Sequence, residues 1–258
     1  MLFLNDMNER IDCLSDGMKI IQCKDVFSFS TDAVLLASFV RLDNSARKVI
    51  DLGTGTGVIP LLLSRRFKNL HITGLEIQER LADMSRRSVE LNQAAGHVRS
   101  GSIAIVQGDL RKAVEEFGYG QFDAVVSNPP YMELGIGEQN PNSHKAIARH
   151  EVCCKLDDIC RAASQLVKSG GKVFIVYRSL RLAELMVQLK LYSLEPKRMQ
   201  LVAPVIDREP NIVLIEAVKD RKPGLRIEPT LAVYDHKGNY TEHLLAMNPT
   251  HPLKDGEN

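Results

Sequence analysis

Three glycines at alternate positions, Gly53, Gly55 and Gly57, separate a short apolar run, Lys48–Leu52, from a longer one, Val58–Phe67. The first run reads as a strand and the second as a helix, so the chain turns sharply between them with its backbone bare. Strand, glycine turn and helix begin a parallel α/β sheet, and the following residues keep that rhythm. His71–Glu76 reads as a strand, Gln78–Ala95 as an amphipathic helix, Ile103–Gln107 as a strand, Leu110–Phe117 as a helix and Phe122–Val126 as a strand. Helix Lys155–Val167, strand Lys172–Tyr177, helix Leu180–Lys190 and strands near Met199–Ala203 and Ile212–Val218 follow. Such alternation implies a mostly parallel sheet with helices on both faces.

The glycine spacing is G-x-G-x-G, not the G-x-G-x-x-G of dinucleotide-binding loops. Asp51 lies just before the loop, where its carboxylate repels a pyrophosphate but welcomes an ammonium group. Glu76 closes the second strand about 25 residues on, where an acidic residue grips a ribose diol in nucleotide-binding folds. Asp109 follows the third strand and can accept from an adenine amino group or cap a helix. Three acids at successive strand ends therefore describe a site for a nucleoside carrying an amino-acid moiety.

Asn128-Pro129-Pro130-Tyr131 follows the strand Phe122–Val126. An amine conjugated to a ring or carbonyl is a poor nucleophile because its lone pair is delocalised. An Asn side-chain carbonyl and a nearby backbone carbonyl can each accept one of its N–H groups and draw the lone pair out of conjugation. Two prolines stiffen the loop and donate no hydrogen bonds of their own. Tyr131 offers a flat face for stacking. The catalytic candidates are thus Asn128, the Pro129 carbonyl and Tyr131, with Asn128 also lining the cofactor site.

With 33 basic and 32 acidic residues the formal charge is only +1, so the whole-chain balance does not announce nucleic acid. Local phosphate contacts are open to Arg41, Arg47, Lys48, Arg65, Arg66, Lys68, Arg86, Arg87, Lys145, Arg149 and Arg178, most of which also fit solvated helix faces. Lys145, Arg149 and His150 stand out because they lie in the long polar stretch Met132–His150, a candidate lid. Five cysteines without a Cys-x-x-Cys pair suggest neither a zinc site nor a disulfide framework, and free thiols fit a reducing cytoplasm. No metal is expected. No run approaches a membrane span, and the N-terminal residues do not read as a secretion signal, so a soluble cytoplasmic protein without a membrane partner is expected. The residues after Arg221 contain a Pro-Gly break, a hairpin strand at Leu231–Tyr234 and a polar end expected to be disordered.

In the combination of Asp-Leu-Gly-Thr-Gly-Thr-Gly, the acidic strand ends and Asn-Pro-Pro-Tyr, the chain resembles the class I S-adenosylmethionine-dependent methyltransferases from about Phe27 to Val218. The resemblance implies a Rossmann-like sheet of seven strands, the last antiparallel, with S-adenosyl-L-methionine as cofactor. It also implies that Phe29, Ser30, Thr31 and Asp32 touch the methionine end, alongside Asp51, Gly53, Gly55, Gly57, Glu76 and Asp109. Residues 1–47 then form a lead and cofactor-covering segment, 48–220 the methyltransferase domain and 221–258 a peripheral extension. Asn-Pro-Pro-Tyr marks amino methylation in that family, of adenine N6, guanine N2 or a glutamine amide. Thr31-Asp32-Ala33-Val34-Leu35-Leu36, the segment Ile147–Glu151 and the chain length are similar to bacterial N6-methyltransferases acting on adenine 37 of a valine tRNA. This makes tRNA the expected substrate. The alternatives are the glutamine amide of a protein such as a release factor and a guanine of ribosomal RNA. Release-factor enzymes usually carry a helical domain ahead of the loop, whereas about fifty residues precede Asp51 here.

Overall fold

The computed structural model describes residues 3–15, 17–23, 31–130 and 154–247. Strands β1 (Glu9–Ser15) and β2 (Met18–Cys23) form an antiparallel hairpin, followed by helix α1 (Thr31–Phe39). The main sheet then begins with β3 (Lys48–Leu52), α2 (Val58–Arg66), β4 (His71–Glu76), α3 (Glu79–Ala94) and β5 (Ile103–Gln107). A 3-10 turn at Leu110–Lys112 leads to the short α4 (Ala113–Phe117) and β6 (Phe122–Ser127). After these come α5 (Leu156–Leu166), β7 (Val167–Arg178), α6 (Leu182–Leu191), β8 (Leu194–Val205), β9 (Ile212–Lys219), β10 (Arg226–Tyr234) and α7 (Glu242–Met247).

The described strands make one eight-stranded sheet in the order β10-β8-β9-β7-β6-β3-β4-β5, beside the two-stranded hairpin. Successive residues of the central strands supply opposite cores, as the period of two requires. Val49, Val126 and Phe174 face the core containing α1 and α2, while Ile50, Val125 and Val173 face the core containing α5 and α6. Chain order reverses between β3 and β6, and such a switch point opens a crevice at the carboxyl ends of the strands. No helix among the described residues is long and apolar enough to cross a membrane.

The seventh strand of the sheet in chain order, β9, is antiparallel and inserted between β7 and β8, as expected for the last strand of the methyltransferase sheet. One feature corrects the strand count. The chain adds β10, an eighth strand pairing in parallel with β8 through Arg226↔Arg198, Ile227↔Met199 and Leu231↔Val202. Leu231 is buried there, so residues beyond 221 contribute to the sheet and its core. The expected hairpin at Leu231–Tyr234 reduces to one antiparallel bridge, Tyr234↔Tyr240, whose rings stack at 5.0 Å.

The N-terminal hairpin, formed within the expected lead segment, docks on α3. The Ile21 amide donates to Ser88 Oγ at 3.0 Å, and Asn92 exchanges hydrogen bonds with both backbone groups of Lys19. Arg87 reaches across to Glu9 with two bonds of 2.7 and 2.8 Å. Its guanidinium holds the buried Glu9 carboxyl below its ordinary pKa. Arg87 is therefore a structural residue, unlike the phosphate contact considered for it. Replacing it with Met strands a buried carboxylate, and the expected loss of stability is about 3–5 kcal/mol in urea unfolding at neutral pH. Because Glu9 is depressed, the pair stabilises above the unfolded carboxylate pKa, and the difference between variant and wild type shrinks in acid as Glu9 takes up a proton.

Candidate active site

Backbone and side-chain bonds gather the ends of β3, β4, β5 and β6 into one patch. The amides of Gly53 and Thr54 donate to the Leu75 carbonyl at 2.9 and 3.0 Å, and the Gly108 amide donates to the Glu76 carbonyl at 2.9 Å. On the other side Ser127 Oγ donates to the Leu52 carbonyl at 2.9 Å, tying the residue before Asn128 to the residue after Asp51.

All three loop glycines have left-handed φ angles, +74° at Gly53, +57° at Gly55 and +87° at Gly57, a region that other residues enter only with strain. Their surroundings differ. A Cβ on Gly53 or Gly55 would stand in open space, whereas one on Gly57 would lie 2.2 Å from the Oγ of the buried Ser85 in α3. The first two glycines thus leave a cradle that a ligand can approach, and the third lets α3 pack against the start of α2. Gly57→Ala is expected to lose roughly 2–4 kcal/mol, strain and overpacking together, and Gly53→Ala only the strain of about 1–2 kcal/mol. Thermal unfolding of the two variants checks the difference. Adding Ser85→Gly to Gly57→Ala should recover the packing part alone.

Asp51 is fully buried. Thr54 Oγ1 donates to its Oδ2 at 2.6 Å, while Oδ1 has no hydrogen-bond partner among the described residues. Burial, opposed by the Thr54 bond and reinforced by the nearby Glu76 charge, pushes its pKa up to about 7. Glu76 is also buried and raised for the same principal reason. It accepts the Gly55 amide at 2.8 Å and the Gln78 amide at 3.0 Å, so the second acid itself holds the glycine loop. Asp109 caps the 3-10 turn by accepting the Arg111 amide at 2.9 Å, and is gripped by the Arg111 guanidinium at 2.6–3.0 Å. That grip holds its carboxyl below the ordinary value.

An unpartnered buried carboxylate oxygen, an open glycine cradle and two further acids at neighbouring strand ends fit an S-adenosyl-L-methionine donor. Asp51 would meet its ammonium, Glu76 its ribose and Asp109 its adenine amine. Asn128 is half-buried at the end of β6 and Pro129 is buried beside it. Thr31 and Asp32 occupy the first turn of α1. Phe29, Ser30, Tyr131, Lys145, Arg149, His150 and the Met132–His150 stretch lie outside the described residues.

Residues 17–192 match the methyltransferase small domain family. The chain belongs to that family. It is 30% identical over 227 residues to the tRNA1(Val) (adenine(37)-N6)-methyltransferase of Porphyromonas gingivalis, covering 84% of this chain and 85% of that one. It is 28% identical over 246 residues to the enzyme of the same name from a Shewanella species, covering 95% and 96%. Among solved structures, a predicted O-methyltransferase of Agrobacterium tumefaciens aligns with a TM-score of 0.66 and 25% identity over 84% of this chain and 95% of that one.

In this methyltransferase several cations considered for RNA phosphates are engaged within the protein. Arg66 donates to the Ala37 carbonyl, Arg41 pairs with Glu228 at 3.0 Å, Arg47 bonds the carbonyls of Asn44 and Ala46, and Arg86 donates to the Ile105 carbonyl. Thr54, Ser127, Ser85 and Arg111 are the site residues that sequence reasoning missed. For Thr54 a signal existed, since a hydroxyl three residues after an Asp in a turn is placed to bond it. Ser85 depends on helix packing across 28 residues and has no local sign.

Proposed function

We propose that this protein transfers a methyl group from S-adenosyl-L-methionine to N6 of an adenine in tRNA, at anticodon-loop position 37. The observation supporting the proposal is the Ser127–Leu52 bond, which ties the strand end before Asn128-Pro129 to the residue after Asp51. The names of the relatives support the choice of acceptor.

S-adenosyl-L-methionine supplies an electrophilic methyl group. Asn128 Oδ1 and the Pro129 carbonyl would each accept one N–H of the exocyclic amine, turning its lone pair out of the ring. Tyr131 would stack on the base. The Pro129 ring is buried, which fixes its carbonyl without side-chain entropy to lose on binding. No residue needs to remove a proton before transfer, because the neutral amine is the nucleophile. The N–CH3 bond would form as the S–CH3 bond breaks, a neutral thioether would leave, and the methylated nitrogen would then give its extra proton to solvent. The protein's contribution is orientation of nitrogen and methyl, with water excluded around a buried acid. An adenine within a stacked helix cannot reach such a site, and a loop base unstacks at small cost. The free thiols Cys13, Cys23, Cys154 and Cys160 accord with a cytoplasmic location.

Incubation with labelled S-adenosylmethionine and unmodified tRNA, followed by nucleoside mass spectrometry, tests the reading. N6-methyladenosine is the expected product. Demonstrated donor binding without any modified nucleoside would sink it and favour the glutamine amide of a protein.

A further inference from the structure

One strand beyond Asn128, the carboxyl rim of the sheet carries an exposed apolar side chain with no part in holding donor or amine. β7 pairs in parallel with β6, Ile175 opposite Ser127, so the chain leaving β7 rises past the level of Asn128 on the adjacent strand. It continues through Arg178 into a 3-10 turn, Ser179–Arg181. At about 3.3 Å per residue, Arg178 stands roughly 10 Å above the level of Ser127, one strand spacing to the side. Leu180, the middle residue of the turn, is 87% exposed. A lone exposed leucine is ordinary on a protein surface. This one differs in its place and in how firmly it is mounted.

The turn is braced on both sides. The Ser179 amide donates to the Asn211 carbonyl at 3.2 Å and the Ser179 hydroxyl donates to the Pro210 carbonyl, fastening the turn to the segment between β8 and β9. The Leu182 amide closes the turn on the Ser179 carbonyl. Arg181 donates to Glu184 at 2.6 and 2.7 Å, and its guanidinium lies 5.2 Å from the centre of the buried Tyr177 ring. Leu180 is therefore held out in water on a fixed backbone, with the exposed Arg178 just before it. Covering such a side chain with a flat apolar surface is favourable, and a fixed turn loses little freedom when it is covered.

A base that leaves its stack opens a gap between its neighbours, and proteins that unstack nucleic acid fill such gaps with side chains such as Leu, Ile, Met or Phe. We propose that Leu180 is a wedge of this kind, entering the anticodon-loop stack as the target adenine turns out towards Asn128, with Arg178 beside it for an adjoining phosphate. The inference rests on the tRNA reading of the site, since a glutamine amide has no stack to open.

The test compares kcat/KM on full-length unmodified valine tRNA with kcat/KM on a short unstructured oligoribonucleotide of the same loop sequence, whose target base needs little unstacking. Leu180→Ala is expected to lower the first about ten-fold, leaving the second within about two-fold and S-adenosylmethionine affinity unchanged. Leu180→Met should keep most of the activity on both RNAs. Because the side chain is so exposed, truncation costs the fold little. In parallel, 2-aminopurine at the target position of the tRNA reports unstacking. Its fluorescence should rise when wild-type protein binds, and by less than about half as much with Leu180→Ala. Equal losses on both RNAs, or tRNA kinetics or a fluorescence rise that match wild type, overturn the wedge. If the oligoribonucleotide is not methylated at all, the fluorescence decides alone. Wild-type protein that binds S-adenosylmethionine but methylates no RNA overturns instead the functional reading beneath.

Discussion

Asn128→Ala will lower single-turnover methylation of unmodified tRNA by about 10²–10³-fold while leaving S-adenosylmethionine affinity within about three-fold. The asymmetry follows from where the residue sits. Asn128 follows β6, on one side of β3, whereas the acids that would hold the donor lie at the ends of β3 itself and of β4 and β5 on its other side. Truncation removes one of two acceptors proposed to pull the amine lone pair out of conjugation, an interaction worth most as the nitrogen becomes tetrahedral. The fold should tolerate the change. Asn128 is half-buried, and the strand end is fixed by Ser127, whose hydroxyl bonds the Leu52 carbonyl independently of it. Calorimetric donor binding and quenched-flow turnover separate the two quantities. A parallel loss in both would mean that Asn128 serves the donor alone.

The second large effect concerns pH. Asp51, with a pKa of about 7, is protonated in slightly acidic solution, and a protonated Asp51 cannot pair with an ammonium. Donor affinity is therefore expected to be greatest just above neutral pH, where the acid is ionised and the ammonium still protonated, and to fall towards ten-fold per pH unit below about pH 6. Stability of the ligand-free protein changes in the opposite sense. The native state holds a proton that the unfolded chain, with an ordinary carboxyl, has released, so stability declines as pH rises from about 4 to 7. Glu76, also raised, adds to the same slope. Asp51→Asn should abolish most of both dependences and weaken donor binding by about 10–100-fold at pH 8, the loss of a charged hydrogen bond. Calorimetry between pH 5.5 and 8.5 with urea titrations in matching buffers checks each sign. An affinity profile unchanged by Asp51→Asn would remove the acid from donor recognition.

The parts of this molecule written locally were legible from its residues. β3 and β6 are largely apolar runs because both faces of the sheet are covered there, and the glycine loop announces its own turn. Asp51, Glu76 and Asp109 could be placed at strand ends because each directly follows or closes such a run. Non-local parts were not legible. β1 and β2 are polar enough to pass for a surface lead, and their order comes from α3 through Arg87, Ser88 and Asn92. β10 contains Pro229 and exposed residues at Arg226 and Ile227, the signature of a loop, and is a strand because β8 offers it an edge. The predicted helix Leu110–Phe117 divides into a 3-10 turn and α4, since Asp109 caps the turn with its own side chain. The buried Arg198 gave no sign of its bonds, because its partners Phe39, Glu216 and Glu228 belong to three other elements.

β10 carries one further consequence, for anyone wishing to shorten this chain. The family match stops at residue 192, ahead of β8, β9 and β10. A fragment cut there would leave β7, twelve residues long and almost wholly apolar from Val173 to Tyr177, without the antiparallel neighbour that covers its hydrogen-bonding groups. A cut at residue 220 would spare β7 but uncover β8 in the same way. Open strands of that length recruit copies of themselves, so minimal fragments drawn along either boundary invite aggregation.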